Sequence, residues 1–178
     1  MTHRLVSCIA VLLITCGCAA TTPTINHAAS LGDISAIKEL YAGGKSINEA
    51  DRSGMTPLMY AIFNKKPDAA KYLIGLGADF KAKDCNGFDA LIWAIYYDQI
   101  EIIKLLLDKG ADIESRDNSG MTPLAHAIWQ VRNIDTIKLL ITRGADVNAK
   151  SNDGESMIDY ALSMNERKDI INTLINSG

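Results

Sequence analysis

Asp84-Cys85-Asn86-Gly87-Phe88-Asp89-Ala90-Leu91-Ile92-Trp93-Ala94-Ile95 opens a stretch that runs on through Ile100, Ile102, Ile103, Leu105, Leu106 and Leu107. It closes on Gly110-Ala111-Asp112 and ends at Arg116. Asp-Cys-Asn-Gly is a turn signal. The two apolar runs that follow have helical spacing, so the unit reads as turn, helix, helix. At Asp117 the same order starts again, 33 residues on. A period of this length marks a repeat array, in which one unit cannot bury its apolar face alone and must stack on its neighbours.

The period extends in both directions. First-helix alanines fall at Ala28, Ala61, Ala94, Ala127 and Ala161, and second-helix leucines at Leu40, Leu73, Leu106, Leu140 and Leu174. Closing glycines fall at Gly44, Gly77, Gly110, Gly144 and Gly178. The step is 33 as far as repeat four and then 34, with the extra residue between the helices near 130–133 and 165–168. The array therefore covers residues 25–178, in repeats of approximately 25–50, 51–83, 84–116, 117–150 and 151–178. Thr56, Asp89, Thr122 and Ser156 are suited to cap the first helices through their side-chain oxygens. Pro57 and Pro123 then stand at the first helical position, where the missing N–H costs nothing. The glycines suit the left-handed residue that ends each second helix. Lys109 and Arg143, just before two of them, complement the helix C-terminus. The last repeat carries Lys168, Asp169, Asn172 and Asn176 on its second helix, a composition that suits a polar outer cap.

Met55-Thr56-Pro57-Leu58-Met59-Tyr60-Ala61 and Met121-Thr122-Pro123-Leu124-Ala125-His126-Ala127 resemble the Thr-Pro-Leu-His-x-Ala signature of ankyrin repeats. So do the endings Gly77-Ala78-Asp79, Gly110-Ala111-Asp112 and Gly144-Ala145-Asp146-Val147-Asn148-Ala149. The resemblance covers Ile25 to Gly178 and implies an all-α ankyrin-repeat solenoid of about five helix-turn-helix repeats joined by short hairpin loops. The chain departs from the signature at its histidine, where Met59, Ile92, Ala125 and Asp159 stand, so the local hydrogen bond of that histidine is absent or altered. Repeat three has Asp89-Ala90 for Thr-Pro, and repeat one lacks an aligned pair.

The first 17 residues read as a signal peptide: a short basic start (Met1 to Arg4), an apolar run from Leu5 to Ile14, then small residues. The run is half the roughly 20 residues that a membrane-spanning helix requires. Gly17-Cys18 after it resembles the lipobox of bacterial lipoproteins, in which the cysteine carries a diacylglycerol; Cys16 is the second candidate. The resemblance implies lipidation of Cys18, a tether over 18–24 and, from Ala19, outer-membrane sorting facing the periplasm. An ordinary secretory signal and an uncleaved anchor are the other readings.

Composition narrows the function. A net charge of −3 with both signs scattered and no basic block speaks against a nucleic-acid partner. Three of the four cysteines (Cys8, Cys16, Cys18) precede the repeats, which leaves Cys85 alone at a hairpin tip with no disulfide framework or paired metal spacing. His27, Tyr60, Trp93, His126 and Tyr160 occupy one position of the repeat and read as buried or half-buried packing. No nucleophile–base pair, phosphate loop or metal-ligand spacing accompanies them, so no catalytic residue, metal or cofactor is expected. Asp79, Asp112 and Asp146 read as turn residues.

A binding module is the reading that remains. The resemblance implies that hairpin tips and the exposed ends of the first helices carry partner contacts. In this chain those positions are Met55, Phe88, Met121 and Glu155 on the hairpins, and Phe63, Tyr96, Trp129 and Ser163 on the helices. With Tyr97, the apolar and aromatic members make the candidate partner-binding set Met55, Phe63, Phe88, Tyr96, Tyr97, Met121 and Trp129. Exposed aromatic patches of this kind mark interaction sites. Phe63, Tyr96 and Trp129 could instead seal the groove between neighbouring first helices. The expected function is a non-catalytic protein–protein interaction module, lipid-anchored in a bacterial envelope. The alternatives are a secreted effector, or an accessory or inhibitor protein of a periplasmic enzyme.

Overall fold

The computed structural model describes residues 24–130, 133–156, 159, 161–162 and 168–175. The signal and lipidation segment with Cys16 and Cys18, the inter-helix insertions, Tyr160, Ser163 and Gly178 fall outside these residues, wholly or, for the insertions, in part. Nine helices have their bounds within the described residues. Those that open a repeat are α1 (Ile25–Leu31), α3 (Pro57–Phe63), α5 (Ala90–Tyr96) and α7 (Pro123–Gln130). Those that close one are α2 (Ile34–Ala42), α4 (Pro67–Gly75), α6 (Ile100–Asp108), α8 (Ile134–Thr142) and α9 (Lys168–Ile175). No strand is present among the described residues; the one ladder contact is an isolated bridge between Lys150 and Ser156.

Each helix is seven to nine residues long. Isolated helices of that length are unstable in water, so tertiary packing must hold them. The opening helices form one layer, α1 on α3, α3 on α5 and α5 on α7, and the closing helices a second, α2 on α4 and α4 on α6. The small residues sit where the layers meet: Ala61 and Ala94 are fully buried and Ala127 and Ala161 nearly so. The leucine series lies between repeats, with Leu73, Leu106, Leu140 and Leu174 all buried. In α6 the buried stripe is Ile102, Ile103 and Leu106. Each such side chain contributes roughly 1.5–3 kcal/mol on leaving water.

The ends of the helices follow from their side chains. Thr56 Oγ1 accepts from the Met59 N–H at 3.3 Å, Asp89 from Ile92 at 2.9 Å, Thr122 from Ala125 at 3.3 Å and Ser156 from Asp159 at 3.2 Å. The altered histidine position behaves according to its chemistry. Asp159 accepts back from the Ser156 N–H at 2.8 Å, and Met59 offers only its sulfur to Thr56. Gly44, Gly77, Gly110 and Gly144 all have φ between +85° and +92°. Between the helices of a repeat the turn needs one left-handed residue: Gly32 in repeat one, but Lys65 (φ +53°) and Asp98 (φ +52°) in the next two. Asp98 offsets that strain by accepting from Thr136 Oγ1 and Asn133 Nδ2 of the following repeat.

Two expectations need amending. His27 belongs by repeat position to the buried or half-buried series, yet it is exposed. Tyr60 and His126 are drawn inward by an aspartate nine residues upstream, and His27 has Cys18 in that place. The outer cap is also less polar than its composition implied. Asp169 and Asn172 are exposed, but so is Ile175, at 60%.

Candidate functional site

The hairpins that precede α3, α5 and α7 are built alike, each around an aspartate. Asp51 Oδ1 accepts from the N–H groups of Ser53 and Met55, Asp84 Oδ1 from Asn86 and Phe88, and Asp117 Oδ1 from Ser119 and Met121, all at 2.8–2.9 Å. The aspartate N–H in turn donates to the carbonyl of Met55, Phe88 or Met121. The residue four places after the aspartate is thereby fixed at the hairpin's exit, which is how Phe88 and Met121 come to face the opening helices.

The second carboxylate oxygen reaches the first helix. Tyr60 Oη donates to Asp51 Oδ2 at 2.7 Å, and His126 Nε2 lies 2.9 Å from Asp117 Oδ2. Burial opposes ionisation of Asp51, but hydrogen bonds from Tyr60, Ser53 and Met55 outweigh it and hold its pKa below the usual carboxylate value. The same bond, with burial added, raises the Tyr60 phenol. For His126 burial wins over the attraction of Asp117 and Asp89, so its pKa is lowered and the ring is neutral at pH 7. In repeat three the position is Trp93, whose Nε1 has no hydrogen-bond partner among the described residues. Its ring is instead the hub of an aromatic cluster.

Trp93 stacks on Tyr97, with centroids 5.9 Å apart and planes within 6°. It meets Phe63, Phe88 and Tyr96 edge-on at 5.7, 5.7 and 6.2 Å. Phe63 also touches Tyr97, and Phe88 stands edge-on to the His126 imidazole at 4.9 Å. Six rings from three repeats thus form one continuous surface. The preferred edge and stacked geometries contribute roughly 0.5–1.5 kcal/mol per pair beyond burial.

Beside this cluster a cavity of about 440 Å³ opens between repeats three and four. Its walls are Phe88, Tyr96, Met121 and Trp129, and its inner lining is the buried His126–Asp117 pair. Asn86, Asn118, Ser119 and Gln130 make its polar edge. Trp129 is 49% exposed and Phe63 42%, large apolar areas left facing water.

Four residues of the sequence-derived set, Phe88, Tyr96, Met121 and Trp129, therefore line one cavity. Phe63 and Tyr97 join them through the ring contacts. Met55 is half-buried at the preceding hairpin and does not line the cavity. Phe63 packs edge-on against Trp93 and Tyr97 while keeping an exposed face. Sequence reasoning passed over the aspartate-to-helix contact and with it the place of His126 and Asp117 in the lining. Its signal was present in the nine-residue spacing of Asp51 and Tyr60, Asp84 and Trp93, Asp117 and His126. Cys85 is a free, exposed thiol at the hairpin tip. Among the described residues no group of three or more His, Cys, Asp or Glu side chains is placed to hold a metal ion, and no helix is long and apolar enough to cross a membrane.

A model of ankyrin repeats in three copies matches residues 4–84 and 68–151, and a second, of many copies, matches 132–175. Among individual proteins, the chain is similar to protein phosphatase 1 regulatory subunit 27 of Homo sapiens and of Mus musculus, 40% identical to each over 55 residues. Those residues are 31% of this chain, and the match spans about a third (36%) of each relative. The repeat period, the stacked helix pairs, the aspartate-held hairpins and the family match agree: the chain belongs to the ankyrin-repeat family of protein-interaction modules.

Proposed function

We propose that the protein is a non-catalytic interaction module that holds a protein partner against the face made by Phe88, Tyr96, Tyr97, Met121 and Trp129, with Phe63 and Met55 extending it into repeat two. The observation that carries this reading is the cavity itself, a concave aromatic surface across packed helices with large rings half-exposed. Exposed apolar patches with aromatic anchors mark interaction sites. The Asp117–His126 pair has the look of a catalytic dyad, but both of its members already serve the hairpin and the helix packing. The test is affinity capture by the full chain and by its Tyr96→Ala and Trp129→Ala variants. Loss of the partner with an unchanged helical melt supports the proposal. Unchanged capture, or unfolding of both variants, counts against it.

The second part of the proposal concerns place. Gly17-Cys18 after the apolar run supports a lipid-anchored envelope protein, outer-membrane and periplasm-facing, with a secreted form as the alternative. Mass spectrometry of the mature N-terminus separates the two: a diacylglyceryl Cys18 in one case, an unmodified start at Ala19 or Thr21 in the other. A second reading of the partner is an enzyme that this protein regulates. The similar protein's name, a phosphatase regulatory subunit, favours it.

A further inference from the structure

Resting on the docking reading above, the cavity between repeats three and four also carries information about what enters it. Its lining is aromatic and apolar on the walls, yet it contains the Asp117 carboxylate, whose side chain is 6% exposed. Among the described residues that line the cavity, none is lysine or arginine. Arg116, next in sequence, directs Nη1 onto the carbonyls of Gly120 and Lys150, and Lys83 directs Nζ onto the carbonyl of Arg116. Asp117 is thus compensated by two backbone N–H groups and a histidine. A purely apolar plug would strip the remaining water from this carboxylate with no cationic side chain among the described lining residues to compensate it, which is costly. A cation entering with the plug removes that penalty.

We propose that the cavity takes an arginine side chain presented by the partner protein, its guanidinium lying among Trp129, Tyr96 and Phe88 with Asp117 as the countercharge. Arginine fits better than lysine. Its planar, weakly hydrated group stacks on aromatic faces and directs its N–H fork at carboxylate and amide oxygens, whereas an ammonium keeps its water. The cavity volume falls in the range of ligand sites and accommodates the side chain. Repeat two has the same aspartate, but Asp51 is bound by the Tyr60 hydroxyl, whereas the cavity beside Asp117 is walled by residues of repeats three and four. Burial lowers the His126 pKa, so the ring meets Asp117 as a hydrogen-bond partner more than as a charge.

The test begins with the full chain and a displayed library of random 12-residue peptides, keeping those that bind wild type and lose binding to Trp129→Ala. The best is then synthesised with arginine, with citrulline (the neutral isostere) and with leucine at each arginine position, and titrated calorimetrically. The expected result is one arginine shared among the selected peptides, with binding at least about tenfold weaker on its replacement by citrulline. The Asp117→Asn variant, which can accept the same hairpin N–H bonds, should bind the arginine and citrulline peptides within about twofold of each other. If that variant does not fold by circular dichroism, the citrulline comparison decides alone. Trp129-dependent peptides without a shared arginine, or with no citrulline penalty, overturn the arginine assignment and leave the docking face standing. Failure to select any Trp129-dependent peptide overturns both.

Discussion

Gly87→Ala probes the contact that sets the spacing between repeats. Gly87 and Gly110 both lie in the left-handed region, at φ +82° and +86°, but their surroundings differ. A Cβ on Gly110 meets nothing within 4 Å, whereas one on Gly87 falls 2.6 Å from Asn118 Oδ1 and 2.7 Å from the Asn118 backbone nitrogen. Alanine at Gly110 therefore carries only the backbone penalty, about 1–2 kcal/mol, part of it offset by a stiffer unfolded chain. Alanine at Gly87 carries that and must also push the next hairpin away. The Asn118 N–H donates to Asn86 O at 3.1 Å and Asn118 Nδ2 to Cys85 O at 2.9 Å, and both bonds would be lost. At roughly 0.5–1.5 kcal/mol each, they bring the expected cost to about 2–5 kcal/mol. Urea unfolding of both variants, followed by circular dichroism, measures the difference. Equal destabilisation within about 0.5 kcal/mol would refute the reasoning, because the close approach would then carry no energy.

The remaining predictions follow the same geometry. The lowered pKa of His126 means that the unfolded chain binds a proton first. Its contribution to stability is therefore complete above about pH 6.5 and is lost as pH falls through the folded value. Unfolding free energies measured between pH 7.5 and 5 should decline, and His126→Gln should flatten that slope. Tyr60→Phe should cost about 1 kcal/mol and, in an NMR titration, raise the Asp51 pKa towards its ordinary value by removing its phenol donor. Leu106→Ala, at a fully buried site, should cost about 2–5 kcal/mol, and Leu40→Ala, at a half-buried one in repeat one, clearly less by the same urea assay.

Much of the fold was legible because its determinants are local or periodic. The helix caps, the left-handed glycines and the buried Ala and Leu series each follow from a residue's own chemistry at a spacing of 33. What was not legible depends on which side chain lies across from which. Trp93 read as packing, and it is; that it gathers Phe63, Phe88, Tyr96 and Tyr97 around it depends on the offset between α3 and α5. The aspartate-to-helix bonds were visible in principle as a nine-residue spacing, but only a chain that turns back on itself brings Asp117 to His126. His27 is exposed for the same reason, since its repeat position says nothing of the missing aspartate. Lys65 and Asp98 show the converse case: the turn's geometry, not the residue's preference, dictates φ.

The central claim is that the partner sits on the aromatic face and not on the layer of closing helices. Photo-cross-linking from single positions on the full chain tests it most directly. The cross-linker is placed at Asn86 or Ser119, exposed on the edge of the cavity, and at Lys104 or Lys138, exposed on α6 and α8. The account predicts that the first two positions trap one common protein and that the last two do not. Trapping of that protein from Lys104 or Lys138, with none from Asn86 or Ser119, would contradict it.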